Sequence, residues 1–160
     1  MSDNLKTAGI ISLAAVFFIV DRAFKWLFIN DWSRADFKII GDWFRLRLSV
    51  NQGIAFSLPF NFDLIIILTC LALLMLVYIA WRSCVDRRWP IFASLSFVIA
   101  GAYSNLLDRL IFHGVIDYFS LTHFSVFNLA DAMIVGGLAA IIFFSRKSKR
   151  RAQDNLESRR

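Results

Sequence analysis

Two aspartates beside the last two apolar stretches of the sequence are the residues whose type and spacing most directly suggest chemistry. Asp117 follows the segment 108–116, and Asp131 closes the motif Phe127-Asn128-Leu129-Ala130-Asp131. A carboxylate next to hydrocarbon is costly and therefore rare unless it has a function. Two carboxylates brought together can share one proton and activate a water molecule, which is the chemistry of an aspartic protease.

The composition predicts an integral membrane protein. Of the 160 residues, 58% are hydrophobic, with 17 Phe and only two Pro, whereas soluble domains are roughly 45–50% apolar. One domain over residues 1–160 is expected at this length. The net charge of +6 does not indicate a nucleic-acid partner, because seven Lys or Arg lie in the tail 146–160, beyond the last apolar stretch. We interpret this tail as a topology signal.

Four apolar stretches are each about 20 residues long, the length that crosses a membrane. They cover residues 8–29, 62–81, 89–112 and 127–144. The loop 82–88, with three arginines, and the basic tail are separated by two spans and so lie on one side, which positive charge places in the cytoplasm. Both termini are then cytoplasmic, and 30–61 and 113–126 face the periplasm of a bacterium. No small-residue cleavage site follows the first stretch, which predicts a retained anchor.

The segment between the first two spans contains an alternating pattern. Residues 44–50 (Phe-Arg-Leu-Arg-Leu-Ser-Val) switch between apolar and polar with period two, which is typical of a half-buried strand. We expect a small antiparallel sheet on the outer leaflet, with the apolar side chains toward lipid or helices. Arg45 and Arg47 would then face water or lipid phosphates. A surface hairpin that covers the bundle is an equally simple interpretation.

Further polar residues gather at the periplasmic ends of the predicted spans. They are Asp21 and Lys25 in span one, Asn105, Asp108 and Arg109 in span three, Asn128 beside span four, and Asn51, which is followed by Gly53, before span two. Asp21 and Lys25 are four residues apart, so they share a helical face. Side chains placed only for solubility would have no reason to prefer one end of the bundle.

Each of these residues also has a simpler structural interpretation. Asp131 alone is typical of a helix N-terminus, where backbone N–H groups favour an anion and Asn128 can serve as the cap. Asp117 alone fits a solvated residue in a short loop after span three. Asp108 with Arg109 suggests a structural ion pair.

The remaining candidates are interpreted in the same way. Asp21 with Lys25 suggests a buried ion pair that holds the first helix in place. His113 and His123 lack partners at metal-ligand spacing, so no metal site is predicted.

Taken together, these residues resemble the lipoprotein signal peptidases (signal peptidase II), a bacterial family of four-span aspartic peptidases. The resemblance runs from Asp21 to the end of span four. The matching blocks are Asp21-x-x-x-Lys25, Asn51-Gln52-Gly53-Ile54-Ala55-Phe56, residues 101–117 and Phe127-Asn128-Leu129-Ala130-Asp131. The pattern departs from the family at Ser104 before Asn105, at His113 in place of a glycine, and at Tyr118 in place of the usual Phe.

The resemblance implies a membrane α-helical fold with four transmembrane helices and a small periplasmic β-sheet cradle. It implies removal of the signal peptide from diacylglyceryl-modified prolipoproteins, just before the lipidated cysteine, in the bacterial inner membrane. Asp117 and Asp131 would be the catalytic pair. The residues that hold substrate or orient the pair would be Asn51, Asn105, Arg109 and Asn128, with Asp21, Lys25, Gly53 and Asp108 as structural or orienting residues. The resemblance implies no metal and no organic cofactor; we expect membrane lipid as a partner and a monomer.

Two other functions remain open at this point. A small proton- or ion-coupled transporter would use Asp21, Asp108, Asp117 and Asp131 as relay groups, but it would place them near the membrane midplane and show internal repeats. An inactive scaffold homologue would keep the fold and lack the activity. Cleavage of a lipid-modified preprotein separates the peptidase from both.

Overall fold

A computed structural model describes residues 2–52, 62–122 and 125–157, and these form four helices and four strands. The helices are α1 (Asp3–Asn30), α2 (Phe62–Val85), α3 (Trp89–Phe112) and α4 (Leu129–Glu157). The strands are β1 (Asp36–Ile40), β2 (Phe44–Asn51), β3 (Val115–Leu121) and β4 (Val126–Phe127).

All four helices are long and apolar enough to cross a membrane, which confirms the four predicted spans. In α4 the apolar part covers Leu129–Lys147, and the helix then continues through the basic tail to Glu157. The outward surfaces carry large exposed apolar side chains such as Leu74 (69% exposed) on α2 and Ile19 (61%) on α1. An apolar surface of this extent indicates contact with lipid.

The central helix is α3, which packs against the other three helices. Its contact with α4 depends on two glycines that allow close approach. A Cβ atom on Gly101 would lie 2.5 Å from the carbonyl oxygen of Ala130, and one on Gly137 would lie 2.8 Å from the carbonyl oxygen of Ser94. Small residues at such crossings let helix backbones approach in a membrane, so α3 and α4 pack closely between Ala130 and Gly137.

The strands form one antiparallel sheet in the order β1-β2-β3-β4 at the end of the bundle where α3 runs into β3, which we call the sheet end. In the pairing of β2 with β3, Phe44 lies opposite Leu121 and Asn51 opposite Val115. The strand predicted at residues 44–50 and the small sheet are therefore confirmed. The register shifts between Leu46 and Ser49.

The simpler interpretation of Asp117, as a solvated residue in a short loop, was wrong. His113 ends α3 in the left-handed conformation (φ 56°), and β3 begins only two residues later. The stretch Val115–Leu121 is rich in β-branched and aromatic residues, and it pairs with β2, so it forms a strand instead of a loop. Asp117 is only 2% exposed in this strand.

Candidate active site

The two aspartates come from different elements and meet on one asparagine. Asp117 lies on β3 and Asp131 in the first turn of α4. Asn128, which precedes α4, donates from its side-chain Nδ2 to Oδ1 of Asp117 at 2.8 Å. Its backbone N–H donates to Oδ2 of Asp131 at 3.3 Å. The two carboxylates therefore belong to one site at the sheet end.

Asn128 is also the cap of α4, as the sequence predicted. Its Oδ1 accepts a hydrogen bond from the backbone N–H of Asp131 at 2.8 Å, while the Asp131 carboxylate accepts from the Asn128 backbone. This reciprocal pair is a capping box. Because Oδ1 is engaged at the cap, Nδ2 is oriented toward Asp117.

Asn105 of α3 connects the aspartates to a group of buried charges. Its Nδ2 donates to Oδ1 of Asp131 at 2.7 Å. Its Oδ1 accepts from Nζ of Lys25 at 3.0 Å and from Nδ2 of Asn128 at 3.2 Å. Both ends of the amide are thus used, and α1, α3 and α4 are linked through one side chain.

A group of charges, which we call the charged cluster, consists of the buried Asp21, Lys25 and Asp108 and of Arg22, whose side chain is 25% exposed. The Lys25 ammonium group is fully buried and lies 2.9 Å from Oδ2 of Asp21 and 2.7 Å from Oδ2 of Asp108. Arg22 pairs with the other oxygen of Asp108. Ser104 donates to Oδ2 of Asp21 at 2.6 Å. Two acids and two bases balance, which is the condition under which buried charges are tolerated.

The predicted ion pair between Asp108 and Arg109 was wrong. Neighbouring residues on a helix do not face each other, and Asp108 points instead to Lys25 and Arg22. Its Oδ2 also accepts from the backbone N–H of Ile116 at 3.2 Å, which ties α3 to β3. Arg109 donates to the backbone carbonyl of Asn105 at 3.4 Å.

Tyr118 is a site residue that the sequence did not identify. Its hydroxyl donates to Oδ1 of Asp21 at 2.9 Å and accepts from the backbone N–H of Leu129 at 3.0 Å. Its ring is fully buried and stacks on Phe24 and Phe28 of α1. An available signal was a tyrosine hydroxyl directly after Asp117, in a strand whose remaining residues are mostly apolar.

The predicted pairing of Asp21 with Lys25 is confirmed. Asp21 also has a second role. Its Oδ1 accepts from the backbone N–H of Ala130 at 3.1 Å. Tyr118 accepts from the backbone N–H of Leu129, and Asn128 accepts from that of Asp131. The first three backbone N–H groups of α4, which have no partner within the helix, therefore all have acceptors. The start of the helix that carries Asp131 is therefore fixed by residues of α1 and β3.

The surroundings of Asp117 perturb its acidity. Burial, followed by repulsion from Asp131, raises the pKa of Asp117 from 3.8 to about 7. The charge of Lys25 and hydrogen bonds from Asn128 and Asn51 act in the opposite direction. Burial also raises the pKa of the Tyr118 hydroxyl, so it stays a protonated donor.

The remaining predicted site residues fall into two groups. Asn51 ends β2 and lies within hydrogen-bonding reach of Asp117. Gly53 and His123 lie outside the described residues. Within residues 2–52, 62–122 and 125–157, no group of three or more His, Cys, Asp or Glu side chains is arranged to hold a metal ion.

Comparisons with known proteins agree with this arrangement. The family model "Signal peptidase (SPase) II" matches residues 13–146. Lipoprotein signal peptidases of Chlorobaculum parvum and Streptomyces griseus are 34% and 30% identical, over 84% and 89% of this chain and 93% and 75% of their own lengths. A solved bacterial membrane enzyme has the same fold, with a TM-score of 0.78 at 23% identity over 89% of this chain and 90% of its own. The chain therefore belongs to the signal peptidase II family, and it is a multi-pass membrane peptidase.

Proposed function

We propose that the chain is an aspartic endopeptidase in which Asp117 and Asp131 hydrolyse the signal peptide of a prolipoprotein. The observation that carries the proposal is the hydrogen bonding of both carboxylates to Asn128. Family membership supports the reaction, and the names of the relatives support a lipoprotein precursor as the substrate. Family membership gives no support to the transporter hypothesis.

The two aspartates would have different protonation states at the start of the reaction. Asp117 is the acid that holds a proton near neutral pH, since its pKa lies at about 7. We assign the ionised state to Asp131 in this proposal, because its carboxylate accepts hydrogen bonds from the Asn105 amide and from the Asn128 backbone N–H, and such donors favour the charged form. The pair titrates as a unit, with one proton between the two carboxyl groups.

In this mechanism Asp131 removes a proton from a water molecule, and the resulting hydroxide attacks the scissile peptide carbonyl. Asp117 donates a hydrogen bond to the carbonyl oxygen and transfers its proton as the tetrahedral intermediate forms. When the C–N bond breaks, Asp131 returns its proton to the departing amine. Asp117 regains a proton from the collapsing intermediate, so the starting state is restored.

Asparagine side chains are suited to hold the pair and the substrate backbone. Asn105 donates to the Asp131 carboxylate and Asn128 to the Asp117 carboxylate. Asn51 forms a further hydrogen bond with Asp117. Arg109 carries a positive charge that interacts with Asp131 and Asp117, which stabilises negative charge that develops on the substrate.

The charge distribution supports one orientation of the site in the membrane. Arginines at the α2–α3 turn and the basic end of α4 lie at the end of the bundle opposite to the sheet, and cytoplasmic segments are rich in such residues. The sheet end with Asp117 would then face the periplasm of a bacterial inner membrane. There the scissile bond, just before a diacylglyceryl cysteine, lies at the interface. We propose a single domain that acts as a monomer.

The experiment is cleavage by the purified full-length chain in lipid nanodiscs, with a diacylglyceryl-modified and an unmodified preprotein side by side. We expect cleavage of the modified substrate only, and its loss in Asp117→Asn and in Asp131→Asn. Asp31→Asn is the matched control, because Asp31 is an exposed acid just after α1 at the same end. Near-normal processing by Asp131→Asn would refute the aspartic mechanism, and no cleavage by the unchanged chain would favour the inactive homologue.

A further inference from the structure

A polar pocket lies on the sheet, apart from the two aspartates. It has a volume of about 360 Å³ and is lined by Arg45, Arg47, Ser120, Leu121, Thr122, Ser125 and Val126. Arg45, Ser120 and Val126 lie opposite one another across β2, β3 and β4. Asp117 is three residues from Ser120 on the same strand, roughly 10 Å away at about 3.3 Å per residue.

Arg47 brings an unbalanced positive charge to this pocket. Its Nε donates to Oγ of Ser120 at 3.1 Å. Among the described residues no carboxylate lies within ion-pair distance of its guanidinium group, whereas the exposed acids of the sheet pair with Arg45 and Lys38. The two terminal nitrogens of Arg47 therefore remain available as a planar fork, the geometry that matches phosphate.

Arg45 adds an N–H donor that the described residues leave unsatisfied. Its terminal nitrogens donate to Asp36 and Asp42, but its Nε is buried without an acceptor. A buried donor of this kind indicates a ligand or water that is not part of the chain. Ser120 supplies a third donor, because its oxygen accepts from Arg47 and leaves its hydrogen free.

The pocket lies beside an apolar turn that is suited to a membrane surface. Ile39, Ile40 and Trp43 at the β1–β2 turn are between half and two-thirds exposed. The backbone N–H of Thr122 donates to the Trp43 carbonyl at 3.0 Å, which joins this turn to the pocket. Exposed aromatic residues at the ends of spans mark the headgroup level of a bilayer.

We propose that this pocket binds the phosphate of a phospholipid headgroup in the leaflet on the sheet side of the membrane. Arg47 would hold two phosphate oxygens, with Arg45 Nε and Ser120 Oγ as further donors. Because Ser120 and Asp117 share a strand, the bound headgroup fixes the depth of Asp117 relative to the membrane surface. The proposal does not depend on the aspartic mechanism.

The test is lipid binding to the full-length chain in detergent, measured by native mass spectrometry. The probes are short-chain phosphatidylglycerol, diacylglycerol with the same tails, and inorganic phosphate. We expect Arg47→Gln to weaken phosphatidylglycerol binding about tenfold, since a charge-assisted hydrogen-bonded pair is lost, and to leave diacylglycerol binding unchanged. Ser120→Ala should weaken phosphatidylglycerol binding less than Arg47→Gln does, because it removes one donor and leaves the charge of the pocket unchanged. Arg34→Gln, an exposed arginine outside the pocket, is the matched control.

Each outcome bears on the proposal. Selective loss in Arg47→Gln supports a built site, and competition by inorganic phosphate shows that the phosphate group itself is recognised. Equal losses in Arg47→Gln and Arg34→Gln would overturn the proposal in favour of diffuse surface charge. Equal binding of diacylglycerol and phosphatidylglycerol, or binding of inorganic phosphate at least as tight as that of phosphatidylglycerol, would overturn the headgroup assignment.

Discussion

The sheet end of the bundle holds two groups of acids with opposite surroundings; Asp21, Asp108 and Asp117 are buried and Asp131 is half-buried. In the charged cluster, Asp21 and Asp108 each lie within 3 Å of the Lys25 ammonium group. In the candidate site, Asp117 and Asp131 meet amide and backbone N–H donors, and none of the described cations lies within ion-pair distance of either. A balanced group is suited to hold helices together, whereas an unbalanced pair is suited to take up and release a proton.

The largest difference between the two groups is expected in activity. Asp117→Asn should reduce kcat by about 10²–10⁴-fold, because it removes a group that transfers a proton in the transition state, and the melting temperature should not fall. Cleavage of a lipid-modified preprotein and a thermal melt measure the two effects. A large fall in melting temperature would mean that Asp117 belongs with the structural acids.

The charged cluster should show the reverse pattern. Lys25→Met removes the buried cation that pairs with Asp21 and with Oδ2 of Asp108. This should lower the free energy of unfolding by about 3–5 kcal/mol, because buried carboxylates lose their partner. Loss of folded protein on heating in detergent measures this effect. Lys6→Met is the matched control, since Lys6 is a partly exposed lysine on the same helix. A stable Lys25→Met variant would contradict the structural role.

Tyr118 joins the two groups, so its hydroxyl should affect both stability and activity. Tyr118→Phe keeps the stacked ring and removes the hydrogen bonds to Asp21 and Leu129, which costs about 1–3 kcal/mol because a buried donor is left unsatisfied. We expect a lower kcat with an unchanged KM, since the first turn that carries Asp131 loses a support. Tyr103→Phe, an exposed tyrosine on α3, should change neither; an unchanged kcat in Tyr118→Phe would show that the two groups are independent.

A further difference is a dependence of stability on pH. The pKa of Asp117 is about 7 in the folded chain against an ordinary value of 3.8, so between these pH values the folded state binds more protons. Stability contributed by this group therefore decreases as the pH rises from about 4 to about 7. Asp117→Asn should flatten this slope in melts at several pH values, and an unchanged slope would assign it to another group.

The fold was largely predictable because its signals are local. Long apolar runs identify the spans, and the alternation in residues 44–50 identifies β2. The pairing of Asp21 with Lys25 and the cap at Asn128 follow from spacings of four and three residues. Such patterns need only the geometry of a single helix or strand.

The contacts that shape the site were less predictable because they join distant parts of the sequence. Tyr118 and Asp21 are 97 residues apart, and Arg22 and Asp108 are 86 apart. Proximity in the sequence suggested Arg109 as the partner of Asp108, but the helix turns the two side chains apart. The burial of Asp117 likewise depends on the pairing of β3 with β2, which a single strand does not reveal.

Asn128 has a consequence for biogenesis. Its side-chain amide caps α4 at Asp131 and donates a hydrogen bond to Asp117. The two aspartates therefore come together only when α4 has packed against α3 and β3. A chain in which α4 has not yet docked carries Asp117 without Asp131 beside it, so the proposed site is still incomplete.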